Sequence, residues 1–122
     1  MIIKVPFRKG PFFIEKNVDF IFKIATLEMA TEEILKCDFW EVDKQDHFDV
    51  NVAILYAAYL VAREKKIAKM NKLSRFLVRK KYELSHAKFW IEHMSKDTQT
   101  EFLKAVQDML GKMTKTKEEK KK

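Results

Sequence analysis

Asn51-Val52-Ala53-Ile54-Leu55-Tyr56-Ala57-Ala58-Tyr59-Leu60-Val61-Ala62-Arg63 is the stretch whose reading decides the fold. Val52, Leu55, Tyr56, Tyr59 and Leu60 recur at steps of three and four, which predicts a helix capped by Asp49 or Asn51. Ala53, Ala57, Ala58 and Ala62 are strong helix formers, and they are small enough to let another helix approach closely. The segment is therefore expected at the centre of the core. The low-charge run Val50–Ala62 covers 13 residues, too short to span a bilayer as a helix.

Upstream of this helix, Met1-Ile2-Ile3-Lys4-Val5 and Phe12-Phe13-Ile14 are rich in β-branched and aromatic residues. Pro6, Gly10 and Pro11 bracket Arg8-Lys9 between them, so the opening reads as a β-hairpin. Two strands alone are marginal in water, and the hairpin should lie against helices. Phe20, Ile24, Leu27, Thr31, Ile34 and Leu35 then fall on one helical face, with Asn17 or Asp19 as cap and an end near Cys37. Asp38 to Asp49 reads as a polar, acidic connection that nonetheless holds Phe39, Trp40 and Phe48.

Downstream, Leu73, Phe76 and Leu77 suggest a short helix capped by Asn71. Ser85 can cap a further one, with Leu84 and Phe89 at the spacing of a hydrophobic staple. Thr98-Gln99-Thr100-Glu101 matches a capping box before the stripe Phe102, Leu103, Val106, Met109, Leu110, Met113, and Gly111 is placed to help end that helix. The expected fold is mainly α: four to five helices with an N-terminal β-hairpin, a single domain over 1–111, and a disordered Lys-rich tail over 112–122.

The 122 residues include ten Phe, three Tyr and two Trp but only two Gly and two Pro, too little turn chemistry for a many-stranded β protein. The single cysteine, Cys37, cannot form an internal disulfide and reads as a small buried hydrophobe. Met1 to Val5 is far short of a signal peptide, and the expected location is the cytoplasm. The net charge of +7 is unevenly placed. Residues 28–49 hold eight acids against Lys36 and Lys44, whereas 63–81 hold nine cations against Glu64. Opposed acidic and basic faces suit self-association or a charged protein partner; the alternative is ordinary solvated faces.

Catalytic patterns are absent from the sequence. Gly10 and Gly111 have no glycine neighbours at phosphate-loop spacing, and there is no GxSxG or HExxH. His47, His86 and His93 have no cysteine pair to complete a zinc site. Glu32/Glu33 and Asp43/Asp46 lie in solvated stretches poorly suited to general acid chemistry. Neither enzyme activity nor a metal or cofactor is implied. A binding role is left, with two sets of candidate contacts. Phe39, Trp40 and Phe48 are the hydrophobic candidates, with capping of the core as the other reading. Arg75, Arg79, Lys80 and Lys81 are the electrostatic candidates. Interleaving of the basic run with Phe76 and Tyr82 also keeps a nucleic-acid-binding role open.

The order of elements resembles that of the tail assembly chaperones of long-tailed bacteriophages. The residues that carry the likeness are Phe22–Ile34, an apolar, Leu-centred, acid-rich helix entered from a hairpin; Ala53–Leu60, rich in Ala and Tyr; and Tyr82–Ile91, followed by an amphipathic helix. The likeness covers about residues 1 to 111. Lys36-Cys37-Asp38 stands where the family usually closes the first helix with Gly, and 63–81 is more basic than usual. The resemblance implies a non-enzymatic protein of the infected host cell, absent from the finished virion. It would coat the apolar, helical tape-measure protein until tail-tube subunits polymerise around it. It also implies a longer form made by ribosomal frameshifting, for which Lys120-Lys121-Lys122 offers an A-rich codon run; a gene without a slippery heptamer there would refute this. A structural virion component is the remaining alternative.

Overall fold

A computed structural model describes residues 1–37, 41, 45–72 and 82–120, with side chains described up to 112. Strands β1 (Ile2–Lys9) and β2 (Phe12–Asp19) form an antiparallel hairpin, followed by α1 (Ile24–Glu28), a π-helical segment (Met29–Leu35), α2 (His47–Ala68), α3 (Leu84–His93) and α4 (Lys96–Lys120). The mainly α architecture with an N-terminal hairpin is the one expected. The expected third helix falls on residues 73–81, which lie outside the described residues, as do the side chains of most of the expected tail.

Helix α2 occupies the centre. Every residue from Val52 to Tyr59 is buried, so the helix is apolar all round over its middle, the pattern of an element enclosed by others. The π segment, α1, α3 and β2 all pack on it. Small Ala57 and Ala58, wholly buried, let the chain leaving the hairpin come so close that the Ile21 N–H donates to the Ala58 carbonyl at 3.1 Å. The cap is Asp46, whose carboxylate accepts the Phe48 N–H at 2.8 Å; the helix begins earlier than Asp49 or Asn51 would have placed it. Asp49 in its first turn and Lys65 and Lys66 in its last complement the helix dipole.

Each hairpin strand has eight residues, longer than the apolar runs alone suggested. Asn17 and Asp19 therefore belong to β2 rather than to a helix cap. Lys9 pairs with Phe12 across Gly10-Pro11. Gly10 takes φ 60°, the positive value needed at the first central position of a two-residue II′ turn, and Pro11 follows with its fixed negative φ. Ile3, Val5 and Val18 of one face are buried, and Lys16 lays its ammonium 5.1 Å from the Phe7 ring centre. The strand pairing is extended by Met1 and Phe20: the Phe20 N–H donates to the Met1 carbonyl at 2.8 Å, and the terminal ammonium donates to the Phe20 carbonyl at 2.9 Å.

Helix α1 starts at Ile24 behind an extended Lys23. Buried Thr26 fixes this start, accepting the Lys23 N–H at 3.3 Å and donating to the Ile21 carbonyl at 2.6 Å. The segment ends where Lys36 adopts a left-handed φ of 53° and the Cys37 N–H reaches the Thr31 carbonyl at 2.9 Å. This is the conformation that a closing glycine adopts without strain. Cys37 is half-buried.

Trp90 of α3, wholly buried, joins hairpin, α2 and α3. Its indole meets Phe7, Phe20, Tyr59 and Tyr82 at centroid distances of 5.4 to 6.3 Å and near-perpendicular angles of 70° to 88°. Such edge-to-face pairs each add about 0.5–1.5 kcal/mol beyond their burial. Two hydrogen bonds anchor the start of α3 to α2: Tyr56 Oη–H to the Tyr82 carbonyl at 3.1 Å and Tyr82 N–H to Tyr59 Oη at 3.2 Å. Glu83, not Ser85, is the residue before α3. Ser95 caps α4, its Oγ accepting the Thr98 N–H at 3.2 Å, and the helix runs past Gly111 rather than ending there. Phe102, Val106 and Met109 form its buried line, with Phe102 meeting Phe22 at 5.8 Å.

Candidate partner-binding surface

Of the sequence-derived contact residues, Phe48 is the one placed within the described region. It lies in the first turn of α2, half-buried and packed against the core. Phe39, Trp40, Arg75, Arg79, Lys80 and Lys81 lie outside the described residues. The acidic and basic stretches can be placed in part. Glu28, Glu32 and Glu33 are exposed along α1 and the π segment, while Lys65, Lys66 and Lys69 are exposed at the far end of α2. Arg63 and Lys66 also line a cleft of about 320 Å³ beside Asp19, Tyr59, Met70 and Tyr82.

The clearest apolar surface is one that the sequence reading did not single out. At the turn end of the hairpin Phe12 is 71% exposed and Phe13 55%. Adjacent residues of a strand point to opposite faces, so a two-stranded hairpin covered by helices cannot bury both deeply. That signal was present in the sequence as two neighbouring phenylalanines just after a turn. Phe13 stacks on Phe89 of α3 at 5.9 Å, and His93 meets both rings, at 5.4 and 4.5 Å. The result is a short run of half-exposed rings from hairpin to helix. Across the strands Phe12 faces Lys9 and Phe13 faces Arg8, so the aromatic pair carries two cations beside it.

A second apolar line lies on α4, where Leu103 is 46% exposed and Leu110 37%. Seven residues apart on a helix, they share a side next to the buried line. Single exposed leucines are ordinary; two on one side of an amphipathic helix widen its apolar stripe beyond what the core covers. Burying a phenylalanine or leucine fully is worth about 1.5–3 kcal/mol, so these groups are a reserve that a partner could use.

Among the described residues no group of three His, Cys, Asp or Glu could hold a metal ion, and no helix is long and apolar enough to cross a membrane. Comparison with protein-family models, with curated proteins and with solved structures finds no match for the chain.

Proposed function

We propose that this protein is a non-enzymatic tail assembly chaperone of a long-tailed bacteriophage. In this role it holds the apolar, helical tape-measure protein in solution in the host cytoplasm and helps to recruit tail-tube subunits. The observation that carries the reading is the pair of outward-facing apolar surfaces, Phe12 and Phe13 at the hairpin end and Leu103 and Leu110 along α4. A partner helix with apolar residues at helical spacing is the kind of ligand such surfaces accept. The order hairpin, acid-flanked first helix, Ala/Tyr-rich central helix and amphipathic last helix supports the same reading.

The test is co-expression with a phage tape-measure protein that is insoluble alone. The chaperone reading expects the tape-measure protein in the soluble fraction and in one complex with this chain on gel filtration. A tape-measure protein that stays in the pellet at equal expression would contradict it. A second reading, nucleic-acid binding, is favoured by the exposed Lys65, Lys66 and Lys69 at the end of α2. It expects affinity that falls steeply with salt, whereas an apolar contact keeps most of its strength.

A further inference from the structure

Arg8 to Phe13 are six consecutive exposed residues at the turn of the hairpin. Nothing lies within 4 Å of where a side chain on Gly10 would be, so the turn projects from the body. Lys9 pairs with Phe12 and Arg8 with Phe13, and directly opposite residues share a face of the strands. Each face of the tip therefore carries one phenylalanine and one cation. Phe12 is 71% exposed, and Phe13 remains 55% exposed despite its stack on Phe89.

Charge at the tip has one sign. Residues 1–14 hold Lys4, Arg8 and Lys9 and no acid. The salt bridges of the described residues join Met1 to Asp19 and His93 to Glu92, so neither Arg8 nor Lys9 has an anionic partner among them. The acids on the neighbouring elements are Glu15, opposite Pro6, and Glu83 and Glu92 near the two ends of α3. The turn also has little backbone to strip of water, because Pro11 has no N–H and strand pairing continues to Lys9 and Phe12.

We propose that the hairpin tip is a membrane-contact site, which inserts Phe12 and the exposed part of Phe13 into the surface of an anionic bilayer. Arg8 and Lys9 then lie at the level of the lipid phosphates. A free anion has no use for two exposed rings, and a purely apolar partner has none for two unpaired cations. A bilayer of anionic lipid takes both at their own depths, rings beneath the headgroups and cations among them, and it yields around a convex turn. The net charge of +7 adds a longer-range attraction to such a surface. Contact of this kind lies on the membrane without spanning it. The site goes beyond the chaperone reading and does not rest on it: the assay below contains no tape-measure protein, so the two readings fail separately.

The test is sedimentation of the full chain with vesicles of phosphatidylcholine alone and of phosphatidylcholine mixed with phosphatidylglycerol. Binding is expected on the anionic vesicles and not on the neutral ones, a comparison that needs no variant. Phe12→Thr and the double change Arg8→Gln/Lys9→Gln should each weaken it about tenfold, through lost apolar insertion and lost attraction to the headgroups. Circular dichroism checks that both variants are folded. Phe12→Trp reports depth: relative to the wild type, the added emission should shift to the blue on anionic vesicles and be quenched by lipids brominated along the acyl chain. Four results would overturn the proposal: no binding to anionic vesicles; binding that Phe12→Thr leaves unchanged, which would mean attraction by charge alone; a lipid-free dimer that Phe12→Thr dissolves, which would give the tip to a second copy; or a blue shift of Phe12→Trp with an acid-flanked amphipathic peptide and none with vesicles, which would give it to a protein helix.

Discussion

Helix α2 and the turn end of the hairpin use similar residues to opposite ends. Over Val52 to Tyr59 the helix presents apolar groups on every side, and all are buried because strand, helix and π segment surround it. At the hairpin end Phe12 and Phe13 are more than half exposed, because a two-stranded sheet alternates its side chains and has few neighbours to cover them. Hydrophobicity is therefore no guide to burial without knowledge of how many elements surround a residue. The interior carries stability, and the hairpin end carries apolar surface that the fold covers only in part, through Phe13 on Phe89 and His93.

The largest expected effect that sharpens this contrast comes from Trp90→Ala. Removing the ring on which Phe7, Phe20, Tyr59 and Tyr82 converge should cost about 3–5 kcal/mol, enough to leave much of the chain unfolded in a urea titration. A loss below that of an ordinary surface change would break the picture of a single aromatic centre. Ala58→Leu should cost about 1–3 kcal/mol by overpacking, because the Ile21 backbone sits against this turn of α2. Thermal or urea unfolding measures it, and a neutral result would mean that the close approach is not needed.

Lys36→Gly should act in the other direction, raising stability by about 1 kcal/mol, since the left-handed conformation costs a non-glycine residue about 1–2 kcal/mol. An unchanged or lower urea midpoint would count against the turn geometry at Lys36. Smallest are the surface changes: Phe12→Thr and Leu103→Gln should each alter stability by no more than about 0.5 kcal/mol. A larger loss at either would place that residue in the core and remove it from the candidate surface.

Much of this was legible in the sequence. The helical spacing of Val52 to Leu60 gave the central helix, and Gly10-Pro11 gave the hairpin, because both signals are local. Boundaries were not, for reasons of tertiary origin. Asn17 and Asp19 have the chemistry of helix caps but are held in β2 by pairing with Lys4 and Ile2. Gly111 has the chemistry of a helix stop, yet α4 continues through it; nothing lies within 4 Å of where its side chain would be. The candidate surface was legible only in part. Phe48 stands out in the sequence as an apolar group in a polar connection, and it packs against the core. Phe12 and Phe13 look like ordinary strand residues in the sequence, since their exposure depends on which face of the hairpin the helices cover.

A pull-down of the tagged protein from phage-infected cells, washed at high salt, with a Phe12→Thr/Phe13→Thr variant beside it, joins the exposed surface to the proposed function. The expected result is a tape-measure protein, identified by mass spectrometry, retained by the wild type and lost from the folded variant. Equal retention by both, or recovery only of nucleic acid that salt removes, would contradict it.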